Sequence, residues 1–252
     1  MKNDSLKTIL ITGASRGIGA ATALLAGKSG YAVVVNYLNN GDRAGEIVAR
    51  ITELGGKARA IQADISKPGE ILRLFSEVDN VFGPLHGLVN NAGILESQMR
   101  LDQMDVDRLV RICETNIIGT LLCAKEAVKR MSTNYGGTGG SIVNLSSTAA
   151  KLGAANEYID YAASKGAIES FTIGLANEVA NEGIRVNAVR PGLIYTDIHA
   201  DGGEKGRVDR LKSKVPLQRG GTSEEVAEAI MWLISDKSSF TTGTFIDVSG
   251  GL

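Results

Sequence analysis

Short apolar, β-branched runs alternate along this chain with longer stretches of helical period. The runs Thr8–Thr12, Ala32–Tyr37, Ala58–Gln62, Gly87–Asn90, Ser141–Leu145, Arg185–Arg190 and Thr244–Val248 predict seven strands. Helical spacing fills the intervals at Gly17–Ser29, Arg43–Leu54, Pro68–Phe82, Val106–Met131, Tyr158–Asn181 and Ser223–Ile234. Such alternation predicts an α/β fold, a parallel sheet with helices on both faces. Right-handed crossovers make the sheet doubly wound, with ligands at the carboxyl ends of its strands.

Two stretches break the rhythm. Asn134 to Gly140 holds four glycines and reads as a surface loop. His199 to Lys214 is polar, carries Gly202, Gly203 and Gly206, and follows the sixth strand. A long mobile segment at the carboxyl edge of a sheet is where a substrate lid would sit, and residues 195–214 are assigned that place. No Pro-, Ser- or charge-rich linker divides the 252 residues, so one domain is expected over 1–252.

Composition narrows the function classes. Apolar residues make up 43% and charged residues 22%, enough for a sizeable core. The net charge is −1 and no Lys/Arg cluster exceeds two residues, which argues against a nucleic-acid-binding face. Met1 to Lys7 has no signal-peptide h-region and no stretch is apolar over a membrane-spanning length, so a cytoplasmic protein without membrane attachment is expected. Cys113 and Cys123, on one helix, would lie about 15 Å apart along its axis, so reduced, packed thiols are expected. Two distant histidines, His86 and His199, and no Cys-x-x-Cys give no metal site.

Chemistry concentrates at three places. Thr12-Gly13-Ala14-Ser15-Arg16-Gly17-Ile18-Gly19 lies between the first strand and first helix, where glycines let the backbone approach a pyrophosphate at a helix N-terminus. The triplet Gly27-Lys28-Ser29 is no phosphate loop, because the required upstream glycine is Thr22 and the triplet ends a helix. After the second strand the chain reads Val35-Asn36-Tyr37-Leu38-Asn39-Asn40, with no acid before Asp42 to bind the ribose hydroxyls of NAD. Arg16 is either a solvated surface charge or a partner for a 2′-phosphate. The missing acid and the arginine together favour NADP over NAD.

Tyr161 stands four residues before Lys165 on a predicted helix, so both side chains share one face. A tyrosine of ordinary pKa, about 10, is a poor base, and a neighbouring ammonium would stabilise its phenolate. Tyr158 is a weaker candidate, since position 162 is alanine; it reads as a packing or substrate-side residue. Asn116 lies within an apolar helical run and Trp232 reads as core or subunit-interface packing.

These pieces, with Asp64-Ile65, Asn90-Asn91-Ala92-Gly93, Asn116, Asn144-Leu145-Ser146-Ser147 and Pro191-Gly192, resemble the short-chain dehydrogenase/reductase family over nearly the whole chain. The compact single-domain branch is most similar, in its 3-oxoacyl-carrier-protein reductase-like and glucose-dehydrogenase-like bacterial members. The resemblance implies a Rossmann fold in which Gly13, Ser15, Arg16, Gly17, Ile18 and Gly19 hold the phosphates and adenosine. It implies Asp64 and Ile65 at the adenine, Asn91, Ala92 and Gly93 along the cofactor channel, and Ile194 and Thr196 at the nicotinamide carboxamide. Tyr161 and Lys165 become the acid/base pair, Lys165 also reaching the nicotinamide ribose; Ser147 bonds the substrate oxygen and Asn116 positions a relay water. A homotetramer built around the chain end is implied as well.

The chain departs from the family pattern twice. Leu38 stands where NADP-preferring members often carry a basic residue. The family serine lies thirteen residues before the tyrosine, at Thr148 here, whereas Ser147 is fourteen away; Ser146 and Thr148 stay as alternatives. The activity implied is hydride transfer between NADP(H) and a small-molecule carbonyl or alcohol. Alternatives are an NAD(P)-dependent sugar or polyol dehydrogenase and a nucleotide sensor without turnover.

Overall fold

The computed structural model describes residues 6–252. Seven strands form one all-parallel sheet: β1 (Thr8–Ile11), β2 (Ala32–Tyr37), β3 (Lys57–Gln62), β4 (Leu85–Asn90), β5 (Gly140–Leu145), β6 (Ile184–Pro191) and β7 (Phe245–Val248). Their order is β3-β2-β1-β4-β5-β6-β7, so the chain winds outward first one way from β1 and then the other from β4. The reversal between β1 and β4 leaves a crevice at their carboxyl ends, where such sheets bind ligands.

Period-two alternation sends successive strand residues to opposite layers. Ile9, Ile11, Val33 and Val35 pack with α1 (Gly17–Lys28), α2 (Gly41–Glu53) and α10 (Ser223–Ile234). Leu10, Val34, Leu88 and Ile142 face the other way, onto α3 (Pro68–Phe82), α5 (Thr120–Met131) and α7 (Ile159–Val179). The doubly wound α/β expectation therefore holds, with element ends moved by a residue or two. α10 opens on a capping box in which Thr222 Oγ1 accepts from Glu225 N and the Glu225 carboxylate accepts from Thr222 N.

One helix differs from expectation. The run 106–131 is not continuous: α4 (Val106–Ile112) passes into a π-helical turn, Cys113–Gly119, before α5 begins. Hydrophobic period does not register a change from i→i+4 to i→i+5 bonding, and such turns concentrate at functional sites. Cys123 is buried, but Cys113 is exposed rather than packed.

The segment 195–214 is also more regular than its polar sequence suggests. It contains α8 (Ile198–Asp201) and α9 (Arg207–Leu211), tied to the body by side chains from elsewhere. Tyr158 Oη donates to the Gly202 carbonyl at 3.2 Å, Gln98 Nε2 donates to Glu204 at 2.6 Å, and Arg207 pairs with Glu157. Among the described residues no helix is long and apolar enough to cross a membrane.

Candidate active site

The glycine turn is closed by contacts that leave no room for a side chain at Gly13 or Gly19. Gly13 adopts φ +61, and a Cβ there would come within 2.9 Å of Ala92 Cα. A Cβ on Gly19 would lie 2.5 Å from Asn91 Nδ2 and 2.6 Å from the Gly13 carbonyl. Asn91 stitches the turn to β4, its amide donating to the carbonyls of Thr12 (2.8 Å) and Gly13 (3.0 Å). Thr12 Oγ1 accepts from the main-chain N–H groups of Asn91 and Ala92, each at 3.0 Å.

In the sequence Asn36 marks only the absence of an acid, yet it is a keystone of the turn. It is buried at the end of β2, where its Oδ1 accepts from Gly13 N at 3.2 Å and its Nδ2 donates to Ala63 O at 3.1 Å. A lone asparagine in a strand carries no sequence signal beyond being polar amid valines. Its role becomes visible only once β2 is seen between β1 and β3.

A cleft of about 810 Å³ runs from this turn across the strand ends, a size typical of ligand sites. Its walls include Gly13, Ser15, Arg16, Gly17, Ile18, Asp64, Ile65, Asn91, Ala92, Gly93, Ser147, Tyr161, Lys165, Ile194 and Thr196. Two sequence-selected residues stand behind the wall. Gly19 acts by letting the turn close, and Asn116 sits beneath Gly93. With bare glycine backbone at one end and hydroxyl, phenol and ammonium groups further along, the residues fit a dinucleotide carrying a redox-active ring.

Tyr161 and Lys165 rise one turn apart in the first half of α7. Burial drives the Tyr161 phenol up to about 12, and the Ser147 hydroxyl pulls it the other way by less. Burial also drives Lys165 down to about 8. The Tyr161 shift is opposite to the direction expected from an adjacent ammonium. Lys165 Nζ instead donates to the Leu145 carbonyl at 2.7 Å and lies 5.5 Å from the centre of the tyrosine ring.

The three candidate hydroxyls after β5 are in different surroundings. Ser146 Oγ donates to Glu169 at 2.8 Å, and that carboxylate is held by Arg190 at 2.5 Å. Ser147 is the one that bears on Tyr161. Thr148 is buried at the start of α6 (Ala149–Leu152).

Asn116, on the π-helical turn, uses its side chain to hold the backbone after β4. Its Oδ1 accepts from Ile94 N at 2.8 Å, and its Nδ2 donates to Ile94 O (3.0 Å) and Ser164 Oγ (3.1 Å). A Cβ on Gly93 would be 3.3 Å from Asn116 Oδ1 and 3.5 Å from Lys165 Nζ, so both groups flank one point of the cleft floor. His199, read only as a non-ligand, lines the cleft with Nε2 3.1 Å from the Ile194 carbonyl and a buried, unpartnered Nδ1. Beyond Tyr161 the wall turns largely apolar, with Leu95, Leu152, Tyr158, Leu193 and Leu211. Arg207 closes this end, its guanidinium 5.0 Å from the Tyr158 ring.

A doubly wound parallel sheet that brings a glycine cradle and a tyrosine–lysine pair to one strand-end cleft defines the class of dinucleotide-dependent oxidoreductases. Comparison with known proteins agrees. A family model described as Enoyl-(Acyl carrier protein) reductase matches residues 13–252. The oxidoreductase YgfF of Escherichia coli (strain K12) is 56% identical, covering 96% of this chain and 98% of its own length. Glucose 1-dehydrogenase 2 of Bacillus subtilis (strain 168) is 38% identical, covering 98% of this chain and 94% of its own. A short-chain dehydrogenase from Burkholderia cenocepacia J2315, solved in complex with NADP, superposes with a TM-score of 0.90 at 32% identity, over 99% of both chains. The chain belongs to the short-chain dehydrogenase/reductase family and is an oxidoreductase.

Proposed function

We propose that this protein is an NADP(H)-dependent oxidoreductase that reduces a small-molecule carbonyl to a secondary alcohol, with Tyr161 as the general acid. The observation that carries the reading is that Tyr161, Lys165 and Ser147 line one cleft with the glycine turn. When bound, the nicotinamide supplies or accepts the hydride. Ser147 donates a hydrogen bond to the substrate oxygen, and Tyr161 gives that oxygen its proton as negative charge develops. A fixed donor of this kind contributes about 10²–10³-fold, and a placed proton donor about 10²–10⁴-fold.

A phenol with its pKa near 12 stays protonated across physiological pH, which suits the reductive direction. Lys165, near 8, exchanges protons readily, and Asn116, beside the same point at Gly93, positions a water in the relay. The oxidative direction needs the phenolate and gains rate as pH rises. Gly13, Ser15, Arg16, Gly17 and Ile18 hold the phosphates and adenosine ribose; Asp64 and Ile65 flank the adenine. Asn91, Ala92 and Gly93 line the channel, while Ile194 and Thr196 receive the carboxamide. The segment 195–214 closes over the substrate. Trp232 on α10 (41% exposed) and Phe240 ahead of β7 (106%) support assembly into a homo-oligomer.

Leu95, Leu152, Leu193 and Leu211 at the far end of the cleft favour a ketone or ketoester over a polyol, which would set more of its hydroxyls against apolar side chains. The test is to follow nicotinamide absorbance with NADPH against ketones, ketoesters and diketones, and with NADP against sugars and polyols. Turnover of carbonyl substrates with NADPH is expected. Turnover confined to sugars would replace the reductase reading with a sugar dehydrogenase. Tight binding without turnover on either panel would point to a nucleotide sensor.

A further inference from the structure

The loop after β2 lacks the basic residue that would face a 2′-phosphate: Leu38 stands there, followed by Asn39 and Asn40, and all three line the cleft. Positive charge arrives from elsewhere. Arg43, in the first turn of α2, and Arg16, in the glycine turn, both reach toward α8 and the residue just before it. There they are joined by a single carboxylate oxygen: Asp197 Oδ2 lies 2.8 Å from Arg43 Nη1 and 3.9 Å from Arg16 Nη1. Arg16 also takes both oxygens of Asp201, from Nη1 and Nη2.

Two guanidiniums held around a shared anion make an anion site. We infer that Arg43 is the second ligand of the NADP 2′-phosphate, and that Asp197 and Asp201 are stand-ins which that phosphate displaces. The inference rests on the nucleotide reading above and deepens it.

Charge and exposure both fit. A phosphate monoester carries about −1.5 to −2 charges at pH 7 and three acceptor oxygens, which match two guanidiniums better than a carboxylate does. The four side chains are each about half exposed, at 43% for Arg16 and Asp201 and 51% for Arg43 and Asp197, so the present ion pairs are weak enough to exchange. Arg16 and Asp197 line the same cleft; Arg43 stands one carboxylate behind its wall. NADH offers only ribose hydroxyls at this point, so it leaves the arginines with the aspartates. The exchange gives NADP a second effect, because Asp197 and Asp201 border α8, and their release frees that side of the 195–214 segment.

The test is equilibrium titration with NADPH and with NADH, read by nicotinamide fluorescence, on the native protein and on Arg43→Gln and Asp197→Asn. Arg43→Gln is expected to weaken NADPH about tenfold and leave NADH unchanged. Asp197→Asn is expected to tighten NADPH several-fold, again without effect on NADH. Equal NADPH affinity in native protein and Arg43→Gln would overturn the assignment of Arg43 while leaving the oxidoreductase reading intact. Weaker binding of either nucleotide by Asp197→Asn would make the aspartate a cofactor ligand and overturn the stand-in role. Failure of the native protein to bind either nucleotide would overturn the nucleotide reading itself, and this inference with it.

Discussion

Arg108 and Asp160 form an almost wholly enclosed ion pair, with Nε 2.7 Å from Oδ2 and side-chain exposures of 3% and 2%. Asp160 precedes the candidate acid, and its Oδ1 accepts from Tyr161 N at 2.9 Å. Arg108 also donates to the Ser97 carbonyl at 2.6 Å, in the strand-end loop beside Gly203 of the 195–214 segment. One buried pair thus joins α4, the loop after β4 and the first turn of α7. Removing one partner leaves an uncompensated charge, whereas replacing both with apolar residues is often close to neutral.

Arg108→Met is therefore expected to cost about 3–5 kcal/mol, and the double variant Arg108→Met/Asp160→Leu to recover much of it. Thermal unfolding of the two proteins decides the point. If the double variant is as unstable as the single one, the pair is not the source of the loss.

The two serines after β5 should separate in activity. Ser147→Ala is expected to lower turnover about 10²–10³-fold with nucleotide affinity unchanged, as loss of a fixed donor to a developing oxyanion does. Ser146→Ala removes a bond to Glu169 and is expected to stay within about tenfold of native turnover, a loss of about one neutral hydrogen bond. The reverse order would move the donor role to Ser146.

Gly19→Ala tests the glycine turn. A Cβ there meets Asn91 and Gly13 at 2.6 Å or less, and the backbone carbonyl has little room to yield. A loss of about 1–3 kcal/mol in stability and a clear loss of NADPH affinity are expected, by thermal unfolding and titration. Unaltered affinity would mean the turn adapts freely.

Lys165 predicts a pH dependence of stability. Its pKa falls from an ordinary 10.5 to about 8 on burial, so between those values the unfolded chain binds more protons than the folded one. Stability must then rise with pH across that window, and the burial cost, on the order of 3 kcal/mol, is present in full below pH 8. Lys165→Met should remove this rise. Chemical denaturation of both proteins at pH 7.5 and 10 measures it, and parallel profiles would show that the lysine is not buried as a cation.

The sheet, its winding and five of the six helices were legible from period alone, because each β-branched run pairs with a neighbour in a single buried sheet. The continuity of 106–131 was not, since an i→i+5 turn keeps the same apolar face in view. At the site, Tyr161, Lys165 and the glycines stood out because their spacing is chemistry in itself. Asn36, Arg43, Arg108 and Asp160 did not. Each acts on a residue far away in sequence, such as Gly13, Asp197 or Ser97, and one chain offers no sign of such a partner. The direction of the Tyr161 shift was also hidden, because spacing shows that a lysine is near but not that it donates to the Leu145 carbonyl.

The measurement that bears most directly on the central claim uses Tyr161→Phe, which removes one oxygen from the cleft wall. NADPH affinity should match that of the native protein, while reduction of the best carbonyl substrate should fall at least about a hundredfold. Near-native turnover in this variant would contradict the account, because the proton would then reach the substrate oxygen without the phenol.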